Sequence, residues 1–293
     1  MEDLNFFNII SGSLVLGLCG LSFYLWIVIF TRLYKGQPVL EKNNAPQIKI
    51  GAGLVLAAIY FYLSTPRIIS HLSVTFKLFT NNTILSHTLL LFIAALIYLI
   101  FYRNQKIKSP QELISEFDND QEETLDKESV QKSHEIQKTP RSLWNQIEIG
   151  YNGFLIGLLP VMLVLLATFN LRTEEKANPI LKMVKSNPNI GVYLLAVLIA
   201  VALAPLIEEL IFRVLLQGFF TTTLRMKTWT SILTTAILFS AVHGFPDAYA
   251  LLPLALVLGY IYHQTRSYVA VVVTHACFNG FNIINLGLSL IAV

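Results

Sequence analysis

Five apolar runs, at about 9–30, 48–65, 84–102, 149–170 and 268–290, are long enough to cross a bilayer as helices, since a hydrocarbon core of about 30 Å needs about 20 residues. Three more, at 190–224, 230–245 and 248–264, are shorter or interrupted. Lipid offers no partners for bare backbone N–H and C=O groups, so spanning segments must be helices or closed barrels. None of these runs alternates with the two-residue period of a barrel strand. The expected fold class is therefore all-α: a polytopic, multi-pass integral membrane helical bundle of about eight transmembrane helices. The first run follows Glu2 and Asp3 rather than a basic segment, and it reads as a retained helix rather than a removed signal.

Composition agrees with that class. The chain is 54% hydrophobic and 13% charged, which argues against a water-soluble globular protein. A formal net charge of +3 is small for 293 residues and argues for no nucleic-acid partner. Membrane lipid is the expected surrounding. Cys19 and Cys277 both fall in apolar runs without CxxC spacing, so they read as packing residues rather than a disulfide or thiolate metal site.

The basic residues set topology instead. With 190–224 taken as one passage, the loops at 31–49, 103–148, 225–229 and 265–267 hold 14 of the 21 lysines and arginines. That bias puts these loops in the cytoplasm and both termini outside. The stretch 103–148 includes "EFDNDQEETLDKES" and lacks a large apolar cluster, so it reads as a charged cytoplasmic linker. It separates three N-terminal transmembrane helices, residues 1–102, from a C-terminal membrane block, residues 149–293.

That block carries ionisable residues inside its apolar runs. Each costs a few kcal/mol or more in a helix core, so each marks a candidate functional site. "EELIFR" at 208–213 places Glu209 and Arg213 at i, i+4 on one helix face, with Glu208 about 100° around the helix. "FSAVH" at 239–243 places Phe239 one turn below His243, and "HACFN" at 275–279 puts His275 and Asn279 on one face. With about 1.5 Å of rise per residue, Glu209, His243 and Asn279 lie roughly 18–22 Å from the cytoplasmic loops, and His275 about 12 Å. The four can meet near one level. Two carboxylates, two imidazoles, an amide and a guanidinium are the parts for amide hydrolysis: a desolvated glutamate as base, a histidine as proton donor or metal ligand, an amide for a developing oxyanion.

The three motifs, EExxxR, FxxxH and HxxxN in that order on successive membrane helices, resemble those of the CPBP intramembrane proteases, to which the CAAX prenyl endopeptidase type II enzymes belong. The resemblance covers about 190–285, the protease-like core. It implies an intramembrane endopeptidase with Glu208 and Glu209 as activating carboxylates. His243 and His275 would orient water, bind metal or transfer protons, Asn279 would donate to the oxyanion, and Arg213 would fix the acidic pair. Glu208 is the favoured base, because Glu209 is the better placed to be held by Arg213. No cofactor is established by the motifs. The alternative is zinc on His243, His275 and Glu208, for although HExxH is absent, two histidines and a carboxylate leave a position open for water.

The expected substrate is a peptide or membrane protein, either of CAAX type or a leader or membrane-protein segment. In a bacterial host the location would be the plasma (inner) membrane. Two other classes use the same residues: a proton-coupled transporter, for which no inverted repeat is visible, and a non-catalytic immunity or scaffold protein. His71, His87, His134 and His263 lie in loops or near span ends and read as non-catalytic, while Asn282 and Asn285 read equally as cavity lining or packing.

Overall fold

The computed structural model describes residues 6–43, 50–59, 141–171, 184–185 and 189–291. The runs expected at 48–65 and 84–102 lie partly or wholly outside them, as does most of the expected linker. Among the described residues every regular element is helical. We label them α1 (Phe6–Tyr34), α2 (Leu143–Ala167), α3 (Ile190–Val197), α4 (Ala204–Glu209), α5 (Gly218–Thr222), α6 (Thr228–Ala241), α7 (Asp247–Thr265) and α8 (Tyr268–Ile291). Four stretches are long and apolar enough to cross a membrane, Ile9–Tyr34, Leu143–Ala167, Ile190–Thr222 and Tyr268–Ser289, and Thr228–Ala241 is a shorter apolar helix. The protein is an all-α integral membrane protein.

Helix α2 begins inside the stretch read as linker. Ser142 caps it by accepting from the Asn145 N–H at 3.2 Å, which satisfies one of the donors that a helix N-terminus leaves unpaired. Asn189 caps α3 in the same way through Gly191.

The passage Ile190–Thr222 is one continuous helix with two π-helical segments, Leu198–Leu203 and Leu210–Gln217, on either side of α4. Pro205 accounts for part of this. In the π register Ala204 N–H donates to Ile199 O, and the next donor in line would serve Ala200 O, but Pro205 has none. The Asn279 side chain on α8 supplies it, Nδ2 donating to Ala200 O at 2.8 Å. Pro160 in α2 poses the same problem for Ile156 O, and Trp26 Nε1 of α1 donates there at 3.0 Å. Buried carbonyls are thus paired between helices where proline prevents pairing within one.

Hydrocarbon tails are as apolar as leucine, so close packing and interhelical hydrogen bonds hold such a bundle together. Small residues permit the closest approaches. A Cβ on Gly150 would fall 2.6 Å from Ala270 O, and one on Gly153 would meet Ile261 and Thr274. Thr274 Oγ1 also donates to Gly150 O at 2.8 Å, joining α2 to α8. Leu158, Val161, Leu254, Leu258, Ala270 and Val271 fill the solvent-free centre of this packing. Cys19 and Cys277 pack against that cluster as free thiols.

Candidate active site

The polar residues of the three motifs come from three elements. Glu208 and Glu209 end α4 where the second π segment starts, Phe239 lies in the last turn of α6 with His243 in the turn just beyond it, and His275 and Asn279 lie on α8. All face the interior of the bundle, and Glu209 and Arg213 are fully buried.

Glu209 is committed on both oxygens. Its Oε2 accepts from Arg213 Nε at 3.0 Å, and its Oε1 lies 2.8 Å from His275 Nδ1. An ionised carboxylate only accepts, so Nδ1 carries the proton of that bond. The Nε2 of a neutral His275 then presents its lone pair, and it faces Glu208 Oε2 at 3.9 Å.

His243 repeats this logic with a different partner. Its Nδ1 lies 2.7 Å from Phe239 O, and a carbonyl can only accept, so Nδ1 is again the protonated nitrogen. Its Nε2 faces the same Glu208 Oε2 at 3.6 Å. Two imidazole nitrogens therefore flank one carboxylate oxygen, each beyond direct hydrogen-bond length and within the reach of one bridging water. The His243 side chain is 22% exposed and that of His275 only 4%, so the opening of this group is on the His243 side.

Asn279 sits one turn beyond His275. One of its two amide N–H groups serves Ala200 O, which ties α8 to the first π segment and leaves the second to donate elsewhere. Arg213 has its guanidinium carbon 5.0 Å from the centre of the Phe239 ring, a cation–π contact, in addition to its bond to Glu209.

Phe239 was named in the sequence as part of a motif but not as a site residue. Its ring centre lies 4.8 Å from that of His243, 5.7 Å from that of His275 and 5.2 Å from that of Phe212, and it is wholly buried. Both imidazoles and the guanidinium contact its ring, His243 tilted at 46°, His275 edge-on at 75° and Arg213 over the face. The signal available in the sequence was its position four residues before His243.

The other polar candidates lie elsewhere. His71, His87 and His134 are outside the described residues, and His263 is in the last turn of α7. Asn282 and Asn285 donate to carbonyls of their own helix, and Asn285 Oδ1 accepts from Ser11 of α1 at 2.7 Å, so Asn285 serves packing. For zinc, the Nε2 atoms of His243 and His275 and the Glu208 carboxylate have the right chemistry, with the Nδ1 bonds that metal-binding imidazoles usually make. Among the described residues, however, no group of three or more His, Cys, Asp or Glu side chains is spaced to hold a metal ion, so zinc on these donors would require them to rearrange.

Comparison with protein families matches residues 190–281 to the model of the type II CAAX prenyl endopeptidase Rce1-like proteins, the family that the three motifs resemble. Comparisons with curated proteins and with solved structures returned no match.

Proposed function

We propose, taking the Rce1-like type II CAAX prenyl endopeptidase domain at residues 190–281 as premise, that Glu208 activates the water with which this intramembrane endopeptidase hydrolyses a peptide bond in or beside the bilayer. One observation supports the assignment above others. Both imidazoles have Nδ1 committed, to Glu209 and to Phe239 O, so that both Nε2 atoms converge on Glu208 Oε2 at 3.9 and 3.6 Å.

In this reading a water sits among Glu208 Oε2 and the two Nε2 atoms. Glu208 takes one of its protons as the oxygen attacks the scissile carbonyl carbon, giving a tetrahedral oxyanion. The second amide N–H of Asn279 donates to that oxyanion. The proton on Glu208 then passes, directly or through His243 on the open side, to the departing amine, and the C–N bond breaks. Glu209 does no proton transfer. It is held by Arg213 and in turn holds His275 in the tautomer that the water needs.

The substrate is a membrane-embedded or membrane-anchored peptide segment, of CAAX type or another, reaching the site on the His243 side. No step passes through a metal. Zinc held by His243, His275 and Glu208 is the alternative, and it would supply a water acidified by coordination.

The test is cleavage of quenched fluorescent membrane-proximal peptides by the detergent-solubilised protein. Wild type is compared with Glu208→Gln and His275→Ala, each with and without a zinc chelator. Loss in both variants with no chelator effect is expected. Chelator-sensitive cleavage would replace the glutamate mechanism with the metal one, and cleavage that survives both substitutions would place the site elsewhere. Proton-coupled flux from reconstituted vesicles, lost in Glu208→Gln with no cleavage to lose, would favour the transporter.

A further inference from the structure

Two rows of residues face each other behind the carboxylate pair. On the Ile190–Thr222 helix the row is Glu209, Arg213, Gln217 and Thr221; on α6 and the turn that follows it the row is Ser231, Thr235, Phe239 and His243, each four residues from the next. The rows run antiparallel. At one end Glu208, next to Glu209, faces His243 at 3.6 Å, then Arg213 lies over Phe239, and at the far end Thr221 Oγ1 and Ser231 Oγ are 3.0 Å apart. Between these ends the seam is polar and buried. Arg213, Gln217, Ser231 and Thr235 are each at most 1% exposed.

The hydrogen bonding of this seam is incomplete in a complementary way. Among the described residues five buried side-chain atoms have no protein partner, and three of them are Arg213 Nη1, Arg213 Nη2 and Gln217 Oε1. Gln217 is otherwise engaged: Nε2 donates to Gly259 O at 2.9 Å, and its main-chain carbonyl accepts from the Thr221 and Ser231 hydroxyls. Arg213 has donors to spare, Gln217 has an acceptor to spare, and they lie one turn apart on one face. A buried guanidinium with four unpaired N–H groups would cost several kcal/mol, and native proteins meet such a demand with buried water bonded to two to four polar groups.

We infer that the seam between Arg213 and Gln217 binds water, with Thr235 beside it, and that Gln217 is a positioning residue for the carboxylate pair. The water accepts from the Nη groups and donates to Gln217 Oε1. With its Nη groups so occupied, Arg213 offers Glu209 only Nε, and Glu209 keeps Oε1 for His275. Without the water, the guanidinium closes on both oxygens of Glu209 as a bidentate pair. His275 Nδ1 then loses its acceptor, and its ring is no longer held with Nε2 toward Glu208. The water site stands on the seam alone; the consequence for hydrolysis rests on the proposed function.

The water is tested without reference to activity. Radiolytic hydroxyl labelling of the full chain in lipid nanodiscs oxidises buried rings only where bound water lies beside them. Phe239, fully buried, is compared with Phe154 and Phe281, which are buried in the apolar cluster between α2 and α8. We expect Phe239 to be oxidised several-fold faster than either, and Gln217→Leu and Thr235→Val to bring it toward their rate. Equal labelling of the three rings in the wild type overturns the inference. In peptide cleavage, Gln217→Leu is expected to lower kcat several-fold at unchanged KM. Fast Phe239 labelling that Gln217→Leu and Thr235→Val slow, with no cleavage by the wild type, would keep the water site and reject the protease reading; fast labelling that neither substitution slows would assign it to water beside Glu208 and overturn the seam water; and an unchanged kcat in Gln217→Leu would reject the positioning role.

Discussion

His275 Nδ1 lies 2.8 Å from Glu209 Oε1 across two helices whose sequences are 66 residues apart, while Glu209 Oε2 holds Arg213 Nε at 3.0 Å on its own helix. Glu209 is thus the joint between a local ion pair and a long-range hydrogen bond. The adjacent Glu208 meets both imidazoles on their other nitrogens. The two glutamates differ in what their replacement should do. Glu208→Gln is expected to lower peptide cleavage by about 10²–10⁴-fold, the usual contribution of a general base, with thermal unfolding in detergent unchanged. Glu209→Gln is expected to lower both, since it weakens the Arg213 pair and the His275 tether together. Equal behaviour of the two variants in both measurements would remove the distinction drawn between them.

Arg213→Met leaves Glu209 buried beside no cation. Breaking a buried pair in this way costs about 3–5 kcal/mol, whereas replacing both members by uncharged groups often costs little. The double variant Arg213→Met with Glu209→Gln should therefore unfold later than Arg213→Met alone, although neither should cleave well. Denaturation of the four proteins of this cycle gives the coupling directly, and a double variant no more stable than the single one would mean that the pair is not a unit.

Some of this site can be read along one helix and some cannot. Glu209 with Arg213, Phe239 with His243 and His275 with Asn279 are all separated by four residues, a spacing that puts side chains on a common face, so each pair was legible. The bond between His275 and Glu209 joins separate helices and depends on how they pack, which periodicity does not encode. The π segments were also missed, because a reading at 3.6 residues per turn assumes the register that they abandon. Pro205 and Pro160 were the available signals. Each strips a donor from a carbonyl one turn back, and a membrane helix has no water to replace it. The partners, Asn279 and Trp26, come from other helices, so the need was legible and its satisfaction was not.

Those two bonds predict different consequences. Trp26→Phe leaves the part-buried Ile156 O without a donor in a membrane helix and should cost about 1–3 kcal/mol of stability with cleavage intact. Asn279→Ala leaves Ala200 O in the same state and also removes the proposed oxyanion donor, so kcat should fall by about 10²–10³-fold besides. The comparison of unfolding midpoint with kcat in the two variants separates the shared structural loss from the chemical one. If Trp26→Phe impairs cleavage as much as Asn279→Ala, the loss in the latter is structural.

Phe239 touches no reacting atom in the proposed mechanism, yet both imidazoles and the Arg213 guanidinium contact its ring. Phe239→Leu keeps the position apolar while removing the flat face that sets the ring planes. Misplacement of supporting groups by about 1 Å can cost on the order of 10²-fold in rate, so kcat is expected to fall by up to that factor with KM nearly constant. Phe239→Tyr keeps the face but introduces a hydroxyl at a wholly buried position, and it should be the less stable of the two. A Phe239→Leu enzyme with normal kcat would show that the Nδ1 bonds alone are enough to orient both histidines.

Gly150 tests the packing that carries His275. Its Cβ position lies 2.6 Å from Ala270 O and 2.7 Å from Val273 Cβ, on the stretch of α8 just before Thr274 and His275. The first of these atoms is backbone and cannot rotate away, so Gly150→Ala must push α2 and α8 apart. Overpacking of this kind costs typically about 1–3 kcal/mol. The bond from Thr274 Oγ1 to Gly150 O should stretch, although Thr274 retains Ala270 O of its own helix as a second acceptor. Because His275 is the next residue, its reach to Glu209 should lengthen as well. Lower stability accompanied by a several-fold fall in kcat is expected, and an added Val273→Ala, which removes the Cγ1 methyl group 2.8 Å from that Cβ position, should restore part of both.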